Sequence, residues 1–130
     1  VIDTSVAADL GAVDRGKLPA EIAVSALSLA ELAAGPHAAG ADRLERARRQ
    51  GQLQYVEANL EPLPFDGACA RAFGLVYAAI DALGRKARGA RSVDLMIAAT
   101  ALAHNLPLYT LNAKDLRGLE DLLEIIDLSV

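Results

Sequence analysis

The stretch RSVDLMIAATALAHNLPLYTLNAKD, residues 91–115, decides the fold. Asp94 opens a helix predicted over residues 95–104, and that helix is apolar on almost every side, as in a buried element. Asn105, Leu106 and Pro107 break it. A short apolar run, residues 108–111, follows, and Thr110, Asn112 and Asp115 then present a hydroxyl, an amide and a second carboxylate. A helix that feeds a parallel strand runs antiparallel to it. The start of the helix and the end of the strand therefore share one edge of the sheet, and Asp94 and Asp115 are expected to meet there.

The bulk properties narrow the field. The chain has 130 residues, enough for one domain with one core, expected to span residues 1–130. No apolar run reaches the length of a membrane span and no signal peptide is visible, so a membrane role is not expected. The chain opens on Val1, which already reads as strand, and a few further residues are expected upstream. Cys69 stands alone, which excludes an internal disulfide framework and fits a reducing cytoplasm. A net charge of −4 argues against general nucleic-acid binding. Basic residues nevertheless cluster at Arg43, Arg46, Arg48 and Arg49, and again at Arg85, Lys86, Arg88 and Arg91. The plain reading of either cluster is a solvated face.

Outward from the central stretch, strands alternate with helices. Val1-Ile2 ends a first strand, and a helical stretch after Asp3 closes at Gly11. Residues 21–26 read as a second strand. Ser28 opens a short helix that stops at Gly35-Pro36. Residues 41–58 are helical, with a weak point at Gly51. Residues 60–64, with proline near both ends, suit an edge strand. Residues 66–87 form the cleanest helix: Cys69, Phe73, Val76, Tyr77, Ile80, Leu83 and Ala87 make one stripe, and Asp66 caps it. A short helix is expected from Lys114 to Arg117, and a last strand over residues 123–128. The expectation is a single α/β domain with a mainly parallel central sheet flanked by helices.

Each acid has a local explanation. Asp3 can cap a helix, Ser28 and Glu31 have capping-box spacing, and Asp94 and Asp115 suit first turns. Together they say more. Asp3, Glu31 and Asp115 follow strand ends and Asp94 starts a helix before one, so all four fall at the carboxyl edge, where open sheets carry their sites. Crowded carboxylates raise one another's pKa, and a hard cation such as Mg²⁺ or Mn²⁺ relieves that. His37 and His104 are isolated and read as surface residues. Cys69 reads as packing.

The segments VIDTS, SLAEL, DLMIAATALAHNLPLYT and TLNAKDL, in that order and at these separations, resemble the PIN domain, specifically the VapC-like toxin ribonucleases of bacterial toxin–antitoxin pairs. The resemblance implies a Mg²⁺- or Mn²⁺-dependent endoribonuclease acting on structured RNA such as tRNA or ribosomal RNA. It also implies a homodimer and a cognate VapB-like antitoxin. It assigns Asp3, Glu31 and Asp94 as the first three acids, with Thr4 or Ser5 and Thr110 as supporting hydroxyls. The position two after Thr110 is often the fourth acid and is Asn112 here, so the fourth role passes to Asp115 or is divided. The basic residues Arg85, Lys86, Arg88 and Arg91 are the expected RNA contacts.

Two other readings use the same residues. A phospho-receiver signalling domain also pairs an acidic cluster with a threonine and a lysine, here Lys114. It needs an adjacent acidic pair after the first strand, and Asp3-Thr4 is not one. A non-catalytic binding module on a PIN scaffold fits the fold but leaves the retained acids without a role.

Overall fold

The computed structural model describes residues 1–85 and 90–129. Ile2 is the hub. It bridges Val24 on one side and Tyr109 on the other, both in parallel. It thereby joins two parallel pairs into one sheet: β1 (Val24–Ser25) with β2 (Pro62–Leu63), and β3 (Leu108–Thr110) with β4 (Ile125–Asp127). The strand order is β2-β1-Ile2-β3-β4, and of the edge strand and the merely extended segment that the prolines allow, β2 is the edge strand. Chain order reverses between Ile2 and β3, and in such sheets the crevice beyond the carboxyl ends at the reversal is where ligands bind.

Successive strand residues face opposite sides, so the sheet has a core on each face. Val1, Leu108 and Ile125 join the side chains of α4 (Gly67–Ala82) and α5 (Ala90–Ala103). Ile2, Val24, Tyr109 and Ile126 join those of α1 (Thr4–Ala8), α2 (Ala26–Ala38) and α3 (Arg43–Asn59). Among the described residues, no helix is long and apolar enough to cross a membrane.

Several boundaries differ from expectation, each for a physical reason. Helix α2 starts at Ala26, capped by the Ser25 hydroxyl, and runs through Gly35-Pro36 to Ala38. Pro36 is buried, and Arg49 reaches back from α3 to donate to the Gly35 carbonyl at 3.0 Å. Tertiary packing outweighs the breaker there. Helix α4 ends at Ala82 because Gly84 takes φ +70° and closes a Schellman turn, with Arg85 N donating to Ile80 O. Tyr77 and Leu83, expected on its buried stripe, are exposed, and Ala87 lies outside the described residues. Helix α5 begins at Ala90, so Asp94 sits one turn inside it and is no cap. Its far end is another Schellman turn: Asn105 is left-handed at φ 56°, and Leu106 N donates to Ala101 O. The short helix after β3 is a 3₁₀ turn, Ala113–Leu116.

Ile2 is 0% exposed and carries the bridge on both sides. Replacing it with alanine is expected to lower unfolding free energy by about 2–5 kcal/mol, read from a urea melt. A loss well under 1 kcal/mol would contradict its place as the hub.

Candidate active site

The chain turns sharply after Ile2, and the turn is built by Asp3. Its Oδ1 accepts from Val6 N at 3.1 Å, which caps α1. The same oxygen accepts from Ser5 Oγ at 2.6 Å, and Oδ2 accepts a short bond from Thr110 Oγ1 at the end of β3. The two hydroxyls are themselves oriented by main-chain amides: Leu111 N donates to Ser5 Oγ at 3.1 Å and Asn112 N to Thr110 Oγ1 at 2.9 Å. An oxygen occupied by an incoming amide proton directs its own proton elsewhere, here to Asp3. Asp3 thus caps α1 and also lines the candidate cleft, so the two readings do not exclude each other.

Glu31 has no capping box. Ser28 lies inside α2, and its hydroxyl is 2.9 Å from Thr4 Oγ1, which also bonds Glu31 Oε1. The single Thr4 proton goes to the carboxylate, which has none to give. Ser28 thus supports the site, a role hidden by its capping spacing. The signal was its position three before Glu31, on the same helical face.

Asp94 and Asp115 differ from this first pair. Among the described residues no hydrogen bond reaches either carboxylate. Asn112 makes no side-chain cap bond to the 3₁₀ turn. That turn is held instead through its main chain: Arg91 donates to Asp115 O at 3.2 Å, and Arg85 to Asp115 O at 3.4 Å and Arg117 O at 2.7 Å. Of the expected RNA contacts, Arg85 and Arg91 therefore buttress the turn, and Lys86 and Arg88 lie outside the described residues.

Asp3, Ser5, Asp94, Thr110, Asn112 and Asp115 line one cleft, with Leu108 and Leu116 as its floor and a volume of about 50 Å³. A water needs ~10–15 Å³ on this measure, so the cleft has room for an ion with a few waters. Glu31 lines an adjoining groove that shares Ser5 with the cleft. The Asp94 carboxyl is pushed up to about 6, first by partial desolvation and then by the charges of Glu31, Asp3 and Asp115, with Arg91 acting against them.

The polar lining offers oxygen donors and the Asn112 amide, with no histidine or cysteine, which suits Mg²⁺ or Mn²⁺ rather than zinc. Among the described residues no three acidic, histidine or cysteine side chains are placed to grip one ion together. An ion here would be held by one or two carboxylates and its own waters, the usual manner of Mg²⁺. His37 and His104 are exposed, and Cys69 is buried on α4, as expected.

A carboxyl whose pKa is raised on folding stabilises the fold below its unfolded value near 3.8 and loses that contribution as pH rises through about 6. Asp94→Asn is therefore expected to raise the metal-free melting temperature at pH 7.5 relative to wild type, and to lose that advantage near pH 4. An equal shift at both pH values would show that Asp94 feels no neighbouring charge.

The PIN domain family model matches residues 1–121. Ribonuclease VapC5 of Mycobacterium tuberculosis is 36% identical over 113 residues, 85% of this chain and 80% of that protein. A Ribonuclease VapC of Rickettsia bellii is 29% identical over 133 residues, 94% of this chain and 91% of that protein. The crystal structure of VapBC-5 from M. tuberculosis, a member of the VapBC family of toxin–antitoxin systems, superposes with a TM-score of 0.78 at 32% identity, covering 97% of this chain and 95% of that one. The chain belongs to the PIN domain family, among the VapC ribonucleases.

Proposed function

We propose that this chain is the toxin of a toxin–antitoxin pair, a Mg²⁺- or Mn²⁺-dependent endoribonuclease of structured RNA such as tRNA or ribosomal RNA. The observation that carries the reading is the convergence of Asp3, Asp94 and Asp115 on one cleft, with Glu31 close enough to raise the Asp94 pKa. A bound Mg²⁺ or Mn²⁺ supplies charge at a non-bridging phosphate oxygen and a water acidic enough to lose its proton near neutral pH.

The rest is done by the chain. Asp3 and Asp94 are the core ligands. Ser5 and Thr110 hold both Asp3 oxygens, so this carboxylate needs no reorganisation when substrate arrives. Thr4 holds Glu31 at the groove side, where it binds through water or takes the proton of the attacking water. Asp115 fills the fourth acidic role, because Asn112 brings no charge and the buttressed turn points a carboxylate into the same cleft. Donors of Arg91 and Arg85 not used on the turn supply positive charge for phosphates at that rim, and Lys86 and Arg88 are further RNA contacts by their charge.

The same cluster suits an inhibitor. Guanidinium pairs bidentately with carboxylate. A VapB-like antitoxin is expected to set an arginine or lysine beside Asp3 and Asp94, in competition with metal. The protein is expected to act as a homodimer in the cytoplasm.

The test is cleavage of total cellular RNA by purified protein with Mg²⁺ or Mn²⁺. Asp94→Asn is expected to abolish cleavage. Asp115→Asn is expected to lower it by orders of magnitude, with partial rescue by raised Mn²⁺, and Asn112→Asp to tighten metal binding. A fully active Asp94→Asn protein would refute the metal site. A rate for Asp115→Asn within a few-fold of wild type, with about 1 kcal/mol of stability or less lost, would leave that residue as a helix-turn acid only.

A further inference from the structure

The cluster Arg43, Arg46, Arg48 and Arg49 is used by none of the chemistry above, and the structure divides it. Arg43 and Arg46 face a pocket beside Pro36 and His37 on the outer side of α2–α3. Arg48 and Arg49 face the groove of about 350 Å³ between α1, α2 and α3, whose other wall carries Asp9 and Glu31. Ser5 lines both this groove and the acidic cleft, so the two adjoin.

The two arginines are not equivalent. Arg49 is a strut: its Nε donates to Glu45 at 2.9 Å and its Nη1 to the Gly35 carbonyl at 3.0 Å, which pins α3 to α2. The hydrogen bonds of Arg48 among the described residues stay within its own helix, and Asp9 across the groove adds a charge interaction. Arg48 Nε donates to Glu45 Oε2 at 3.0 Å and its Nη2 to Glu45 Oε1. That uses two of five guanidinium donors. The Arg48 side chain is 59% exposed, so its remaining donors are open to an incoming anion. Glu45 lies behind Arg48 and fixes its rotamer, the arrangement that lets the remaining fork bind phosphate with little further ordering. Across the groove stand Asp9 and Glu31, both acidic. They bias a polyanion away from the α1 and α2 sides of the groove and toward Arg48 on α3.

We infer that the groove between α1 and α3 is a subsite for a backbone phosphate of the RNA flanking the cleaved bond, bound by Arg48 and the Gln52 amide. The inference rests on the ribonuclease reading and deepens it. RNA enters the cleft at one rim past Arg91 and leaves over Arg48 at the other. Both rims are positive, and the acids lie between them. The net charge of −4 is compatible with this because the attraction is local to the path.

The test is single-turnover cleavage, at saturating Mn²⁺, of the shortest RNA oligonucleotide that the wild-type protein cuts. Copies of it carry a neutral methylphosphonate at one phosphate at a time on either side of the cut. Arg48→Gln is expected to raise the half-saturating protein concentration roughly tenfold, the worth of a charged hydrogen-bond pair, to leave the maximal rate within about twofold, and to reduce the salt slope by about one. One methylphosphonate position should weaken wild type and leave Arg48→Gln unaffected. Arg43→Gln removes the same charge from the same helix outside the groove and is expected to behave as wild type. Equal effects of Arg48→Gln and Arg43→Gln, or no position at which the neutral linkage and Arg48→Gln fail to add, would overturn the subsite while cleavage itself persists. A wild-type protein that cuts no RNA would overturn the ribonuclease reading and the subsite with it.

Discussion

Four carboxylates stand around the carboxyl edge of one small sheet, and repulsion among them is the constraint on which the site depends. The chain meets it unevenly. Both oxygens of Asp3 are held by donors, and Glu31 is held by Thr4. Asp94 and Asp115 have no such support among the described residues, and Asp94 carries the repulsion as a pKa raised to about 6. One pair is set in advance, and the other is left to be completed by something positive. A hydrated metal ion and a guanidinium both meet that requirement. The same electrostatics would serve both the metal and the inhibitor proposed for this site.

The fold supplies this edge through register. Asp3 N donates to Tyr109 O and Tyr109 N to Val1 O, which sets the end of the first strand beside the end of β3. Thr110 can reach Asp3 only in that register. A slip by one residue would turn its hydroxyl to the opposite face. The amides of Leu111 and Asn112 then complete the alignment of the Ser5 and Thr110 hydroxyls. A short sheet joined at Ile2 is enough because both of its faces are covered, by α4 and α5 on one side and α1, α2 and α3 on the other.

Much of this was legible in the sequence because acids just past apolar runs fall at one edge of any parallel sheet. The meeting of Asp94 with Asp115 in one cleft follows from that, whereas the strand order rests on the two bridges of Ile2, which no local pattern announces. What was not legible depends on packing. The Gly35-Pro36 pair reads as a stop, yet burial of Pro36 carries α2 through it. Ser28 and Glu31 have capping spacing, yet Ser25 holds the cap and both side chains turn to Thr4. The stripe of α4 reads on to Ala87, yet Gly84 ends the helix in a left-handed turn. The unequal roles of Arg48 and Arg49 need the α2–α3 contact, which places one against Gly35 and leaves the other in the groove.

The central claim is that Asp3 and Asp94 together hold a divalent cation. It is tested most directly by titrating the protein with Mn²⁺ and following free Mn²⁺ by electron paramagnetic resonance, without RNA. The account predicts saturable binding at the wild-type site that Mg²⁺ displaces and that Asp3→Asn with Asp94→Asn removes. Indistinguishable titrations of the wild type and the double variant, both folded by circular dichroism, would contradict it.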